Sequence, residues 1–80
     1  LKVYAVGATG APAQYESWRR GERLEGQASD TFAEGIATGS AYALTFEALR
    51  EGLAGFVQVT DEAMRAGIRD LLRYTGNLAE

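Results

Sequence analysis

Two short apolar runs dominate the hydrophobic pattern of this 80-residue chain. The first run, KVYAV over residues 2–6, is rich in β-branched and aromatic residues and breaks into the turn-forming stretch GATGAP. It therefore predicts a strand that ends in a turn. The second run, GFVQVT over residues 55–60, predicts another strand. Strands that are separated by helical segments are typical of a parallel pair in an α/β layer.

Three segments with helical spacing surround these strands. In the first, Pro12 suits an opening helical turn, where its missing N–H costs nothing, and Tyr15 and Trp18 lie on one face. In the second, Phe46 and Leu49 lie on one face. The predicted helices run from Pro12 to Arg20 with Gly21 as the stop, from Ser40 or Thr45 to about Glu51 with Gly52 as the stop, and from Thr60 or Asp61 to Gly76 or Asn77.

The third helix contains a glycine on its apolar side. Its hydrophobic residues form a stripe that we expect to face the interior, namely Met64, Ile68, Leu71 and Leu72. Gly67 lies on the same face, and a glycine inside a helix costs about 1 kcal/mol relative to alanine. We therefore expect close backbone packing at Gly67.

The predicted order is β-α-loop-α-β-α, an α/β fragment of a parallel-sheet layer. Residues 22–30 are polar and predict a loop, and residues 31–40 are too irregular for a helix and too broken for a long strand. Two strands alone make a poor sheet, and the chain opens inside a predicted strand without an initiating Met. We therefore expect residues 1–80 to be a single partial domain of a longer protein.

One carboxylate stands out in the irregular segment TFAEGIATGS, residues 31–40. Glu34 lies between Ala33 and Gly35, and its other neighbours are small or apolar. We expect this carboxylate to be partly removed from water, which is costly unless hydrogen bonds compensate. Glu34 is therefore a candidate functional residue. The alternative is a surface acid beside a turn glycine.

Composition excludes several classes of function. The net charge is −3 and the basic residues form no dense cluster, so no nucleic-acid footprint is visible. No apolar run approaches the roughly 20 residues of a membrane span, and no signal-peptide pattern is present, so we expect a cytoplasmic protein. The chain has no His and no Cys, which excludes nucleophile systems and zinc sites built on those residues. The one lysine, Lys2, lies at the outer end of the first strand.

The stretch GATGAP between the first strand and helix allows a second hypothesis. Gly7 and Gly10 have the spacing of a nucleotide-binding turn, in which backbone N–H groups at a helix start hold phosphate. The third glycine position is Ala13, and the second strand with an acid about 20 residues on is missing. A tight strand-to-helix turn is the simpler interpretation.

Several short pieces, in order and at matching spacing, resemble one family over essentially the whole chain. They are VYAV at residues 3–6, TFAEGI at 31–36, Thr45–Phe46 at a helix start, VTDE at 59–62 and the terminal Glu80. Together they resemble the later part of the catalytic domain of fold-type-II pyridoxal-phosphate enzymes, the threonine dehydratases and serine racemases, which are related to the tryptophan synthase β chain.

The resemblance implies a cofactor, a substrate class and site residues. It implies a pyridoxal-phosphate-dependent lyase that deaminates a hydroxy amino acid to a 2-keto acid. By the same resemblance, Glu34 and Gly35 match an acid–glycine pair lining the cofactor–substrate cleft. Glu80 matches the acid that opens the segment beside the cofactor ring. These three residues are the predicted cofactor-binding set, and no catalytic residue is expected within the 80 residues.

Departures from the family pattern limit what this chain could do alone. The family's Schiff-base lysine, substrate loop and glycine-rich phosphate loop would lie before Leu1, so we expect no catalysis from these residues by themselves. Many relatives have Glu-Pro where this chain has Gly7-Ala8, and serine racemases hold a divalent cation there. Gly7 and Ala13 occupy the matching positions, so we expect no metal site.

Two rival hypotheses stay open from the sequence: a nucleotide-binding α/β fragment that uses GATGAP, and a non-catalytic module that self-associates through strand edges. The sequence also leaves open whether the substrate is threonine or serine, whether the reaction is dehydration or racemisation, and whether the protein forms a homo-oligomer.

Overall fold

The computed structural model describes residues 1–79, and its element order is the predicted one. The long segment between the first two α-helices contains only a short 3-10 helix. The elements are β1 (Val3–Ala8), α1 (Ala13–Arg20), the 3-10 helix (Glu34–Ile36), α2 (Ala43–Gly52), β2 (Leu53–Val59) and α3 (Asp61–Thr75).

The two strands pair in parallel, which confirms the predicted layer. The register runs from Val3 opposite Leu53 to Ala8 opposite Val59, with one irregularity between Val3 and Tyr4. The pairing continues past the strand end, where the backbone N–H of Thr9 donates to the carbonyl of Val59 at 2.9 Å. Both strands therefore present their carboxyl ends at the same edge of the sheet, which is where α/β proteins place ligands.

Aromatic packing joins α1 to one face of the sheet. The Tyr15 ring meets the Phe56 ring edge-on, with centroids 5.5 Å apart, and the Trp18 ring lies 6.0 Å from Phe56. Such pairs contribute about 0.5–1.5 kcal/mol beyond the area they bury. A Cβ atom at Gly7 would come within 3.1 Å of the Phe56 ring, so the glycine lets this ring lie close to β1. Tyr15 and Trp18, which the sequence predicted on one helical face, thus both pack against the sheet and are half-buried.

The other face of the sheet is open in the part of the chain that the structure describes. Tyr4, Val6 and Val57 are each at least half exposed there. The buried residues are mostly small, namely Ala8, Ala11, Ala13, Ser17 and Ala41, with Phe46 from α2. The core is therefore thin and depends on close backbone approach.

The segment after α1 folds back against the helix at Ser17. This buried hydroxyl donates to the carbonyl of Ala13 at 2.6 Å and accepts the Leu24 N–H at 2.9 Å. Farther along, the Gln27 N–H donates to the carbonyl of Gly39 at 2.7 Å. Residues 28–38 consequently form a loop whose two ends lie side by side at the Gln27–Gly39 hydrogen bond.

Helix α3 has the predicted ends but only part of the predicted buried stripe. The Thr60 hydroxyl accepts the Ala63 N–H at 3.1 Å, and Gly76 ends the helix with φ 73°. Met64 and Ile68 are half-buried, whereas Leu71 is 44% and Leu72 52% exposed. The prediction for the two leucines was wrong because, within residues 1–79, the helix meets the loop at residues 32–36 through its first half only.

Gly67 also differs from its prediction. An ideal Cβ built there meets no atom within 4 Å in the described part of the chain, so close packing does not explain the residue. Gly67→Ala is expected to raise the free energy of unfolding by about 0.5–1 kcal/mol, since the glycine adds only backbone freedom to the unfolded chain. Urea denaturation of the full-length protein would measure this, and an unchanged or lower midpoint would contradict it.

Candidate functional site

Two concavities lie beside the 3-10 helix near the carboxyl ends of the strands. The larger, with a volume of about 890 Å³, lies between the loop and α3; its lining residues are Phe32, Ala33, Glu34, Gly35, Ile36, Met64, Ile68 and Ala79. The smaller, about 190 Å³, lies between the loop, α1 and the end of β1 and shares Gly35 and Ile36 with the larger one. Residues 32–36 thus form the loop wall of the larger cavity, and Gly35 and Ile36 belong to both cavities.

Glu34 lines the larger cavity and is exposed. The prediction that its carboxylate is partly removed from water was wrong. The small neighbours Ala33 and Gly35 do not cover it, and it lies on the open side of the 3-10 helix that it begins. An exposed carboxylate in a concavity remains available to a ligand without a folding cost.

Gly35 has free space beside its backbone. An ideal Cβ there meets no atom within 4 Å among the described residues, although the residue lines both cavities. Internal packing therefore does not require this glycine, and its backbone is open to a ligand. A cofactor-contacting role for Glu34 and Gly35 stays a prediction. The third predicted residue, Glu80, lies outside the described residues.

One carboxylate of α3 holds the start of this wall. Asp61 accepts a hydrogen bond from the Thr31 hydroxyl and a second one, at 3.1 Å, from the Phe32 N–H. These two bonds, with the Thr31 hydroxyl first, lower the pKa of Asp61. Beside them the Arg65 guanidinium lies over the Phe32 ring, 4.3 Å from its centroid.

The sequence predicted only that the third helix begins at Thr60 or Asp61, and an acid in the first turn favours the helix N-terminus. That position is confirmed. The contact with Thr31 was missed because the two residues are 30 positions apart and no local pattern connects them. The signal that could have marked Asp61 is its position shortly after a strand, at the edge of the sheet where ligands bind.

The same end of the wall is also fixed at the GATGAP turn, one residue before Thr31. The Asp30 N–H donates to the carbonyl of Gly10 at 2.7 Å, and a Cβ at Gly10 would come within 1.9 Å of the Asp30 carbonyl oxygen. Within the same turn, the N–H groups of Thr9 and Ala11 bond to carbonyls of Val59 and Ala8. Because these donors are already used, the geometry favours a structural turn over a phosphate-binding one.

The smaller cavity contains a polar atom that sequence reasoning also missed. Gln14 lines it, and the side-chain oxygen is buried without a hydrogen-bond partner among the described residues. The amide nitrogen of the same side chain donates to the carbonyl of Ser40 at 3.4 Å. Buried polar atoms are nearly always paired, so this unpaired oxygen is an unusual feature beside the cavity.

Other candidate chemistry lies away from the two cavities or is not assembled. Lys2 is exposed at the amino end of β1, whereas the cavities are at the carboxyl end. Across residues 1–79, no three His, Cys, Asp or Glu side chains are grouped so that they could hold a metal ion. None of the helices described here combines the length and apolar character needed to cross a bilayer.

Comparison with known proteins gives consistent matches. The family described as "Pyridoxal-phosphate dependent enzyme" matches residues 1–80. A threonine dehydratase of Nicotiana attenuata is 29% identical over 79 residues, which are 99% of this chain and 13% of that protein.

Solved structures agree with this match. The threonine deaminase of T.th. superposes with a TM-score of 0.91 at 31% identity, over 99% of this chain and 29% of that one. Threonine deaminase isoform 2 of Solanum lycopersicum gives 0.92 at 30% identity, over 99% and 23%. Maize serine racemase gives 0.91 at 19% identity, over 99% and 24%, and shows the fold alone. The chain spans less than a third of the length of each of these relatives.

Proposed function

Because this chain belongs to the pyridoxal-phosphate dependent enzyme family, we propose that it is part of a dehydratase that converts a hydroxy amino acid to a 2-keto acid and ammonia. The substrate class is threonine or serine. The observation that carries the proposal is the similarity, over nearly the whole chain, to two threonine deaminases at 30% identity or more.

The described residues fit one wall of a cofactor site. The cofactor of the whole protein is pyridoxal phosphate, which when bound withdraws the electron pair left on the substrate α-carbon after proton loss. The backbone at Gly35 is open to close approach by a flat ring, while Phe32, Met64 and Ile68 give the larger cavity an apolar lining. Lys2 lies at the opposite end of β1, so these residues provide a wall for the cofactor and do not supply its reactive amine.

Glu34 is the polar group of this wall. Its carboxylate is exposed to the larger cavity, so it can accept a hydrogen bond from the ammonium or hydroxyl group of an amino-acid substrate. The other side chains that line this cavity are apolar, so Glu34 is the charged group that a substrate would meet there. We therefore assign Glu34 to orienting the substrate and Gly35 to admitting the ligand beside the backbone.

A product assay on the full-length protein tests the proposed reaction. The protein with its cofactor is incubated with L-threonine or L-serine, and keto acid and ammonia are measured beside the D-amino acid. Release of 2-oxobutyrate or pyruvate together with ammonia is the expected result, and cofactor-depleted protein is the control. Formation of the D-amino acid without keto acid would show that the reaction is racemisation and not dehydration, and would overturn the proposal. Formation of neither product would also overturn it.

A further inference from the structure

We infer that Asp61 is a positioning residue for the Glu34–Gly35 wall of the larger cavity and acts through Thr31 and Phe32. The functional part of this inference, an effect on turnover, rests on the proposed function of that cavity. The structural part concerns only the hydrogen bonds between α3 and the loop. The two parts are tested by separate measurements.

The Asp61 carboxylate uses both oxygens on adjacent residues of the loop. Oδ1 accepts from the Thr31 hydroxyl and Oδ2 accepts from the Phe32 N–H at 3.1 Å. The Thr31 hydroxyl oxygen in turn accepts the Ala33 N–H at 3.3 Å. One side chain therefore fixes three successive residues, directly or through one intermediate, and the next residue is Glu34. Hydrogen bonds to an ionised acceptor are stronger than neutral ones.

The same helix also forms the facing wall of the cavity. Met64 and Ile68, about one and two turns beyond Asp61, line the cavity opposite Glu34 and Gly35. Within residues 1–79, α3 has no extensive packing against the sheet or the other two helices. The distance between the two walls is consequently set where α3 and the loop are bonded, at Asp61, with the Arg65–Phe32 stack as a second contact.

Glu62 is a matched control for Asp61. It is the next residue, carries the same charge in the same first helical turn, and is exposed. Replacing either acid with alanine removes one charge from the positive end of α3. Only Asp61→Ala also removes the hydrogen bonds to the loop, so a difference between the two variants reports those bonds.

Hydrogen exchange of the full-length protein with its cofactor tests the structural part. Asp61→Ala is expected to speed amide exchange in residues 31–35 by about tenfold or more, since a hydrogen bond to a charged group is lost. Glu62→Ala should leave exchange in that segment unchanged. Thr31→Val should reproduce part of the Asp61 effect, and Thr31→Ser, which keeps the hydroxyl, should restore protection.

Steady-state kinetics on the same variants test the functional part. In Asp61→Ala, kcat/KM for the hydroxy amino acid is expected to fall about 10- to 100-fold, since a misplacement of about 1 Å at a site can cost as much as about 100-fold. The double variant with Thr31→Val should be little worse than Asp61→Ala, because both changes break one connected set of bonds. If Asp61→Ala cannot be purified folded, Asp61→Asn and Thr31→Val test the same connection.

The outcomes separate this inference from the proposed function. Equal exchange in Asp61→Ala and Glu62→Ala would overturn the inference whether or not the enzyme releases keto acid. Faster exchange with unchanged kinetic constants would overturn the positioning role. If the wild-type protein releases no keto acid, the proposed function fails, while the exchange data still decide the hydrogen-bond part.

Discussion

Gly10→Ala is expected to lower the free energy of unfolding by about 3 kcal/mol or more, the upper range for overpacking in a protein interior. The added Cβ would lie 1.9 Å from the Asp30 carbonyl oxygen. Because that atom belongs to the backbone, no side chain can move aside to relieve the clash. The Asp30–Gly10 hydrogen bond, which anchors the loop, would be lost as the segments separate.

Urea denaturation of the full-length protein measures this effect, and Gly67→Ala is the control. Both variants add one methyl group at a glycine, but Gly67 has open space in the described part of the chain. A Gly10→Ala protein that unfolds at the wild-type midpoint would show that the close approach to Asp30 is not required. Failure to recover folded Gly10→Ala protein, with normal recovery of Gly67→Ala, would support the prediction.

Glu34→Gln is expected to lower kcat/KM for the hydroxy amino acid by about 10- to 100-fold while leaving the fold intact, because an exposed side chain contributes little to stability. The substitution keeps the shape of the side chain and removes its charge. A hydrogen bond from a substrate ammonium group to a neutral amide is weaker than one to a carboxylate. The unfolding free energy should change by no more than about 0.5 kcal/mol.

Kinetics of Glu34→Gln beside Glu22→Gln check this prediction. Glu22 is also exposed and lies outside the residues that line the two cavities, so its change removes the same charge away from the site. Equal kcat/KM in the two variants would show that the Glu34 carboxylate has no role in substrate turnover. A large loss of stability in Glu34→Gln would show instead that the carboxylate serves the fold.

Local sequence signals predicted every strand and α-helix of the fold, but they predicted the ends of some elements better than those of others. Helix α3 starts and stops where Thr60 and Gly76 predict it, because capping depends on neighbours in the chain. Strand β1, by contrast, extends to Ala8, since Gly7 and Ala8 pair with Gln58 and Val59. These small residues have low strand propensity, and only the partner strand decides their conformation.

The candidate site shows the same division between local and distant information. The segment around Glu34 and Gly35 was selected from sequence, and the structure places it beside both cavities. The exposure of Glu34 could not be predicted, because burial depends on what lies above a residue in three dimensions. The bond between Asp61 and Thr31 likewise joins residues that no periodic pattern relates.

The parallel pairing of β1 with β2 affects how the protein acquires its structure. In the register of Val3 with Leu53, the first contact between the strands closes a chain segment of about 50 residues, with an entropic cost of about 3–4 kcal/mol before any bond is gained. Contacts between residues so distant in sequence slow folding. The helices can form from local interactions, whereas the sheet edge that bears the cavities is completed only when the whole intervening chain is in place.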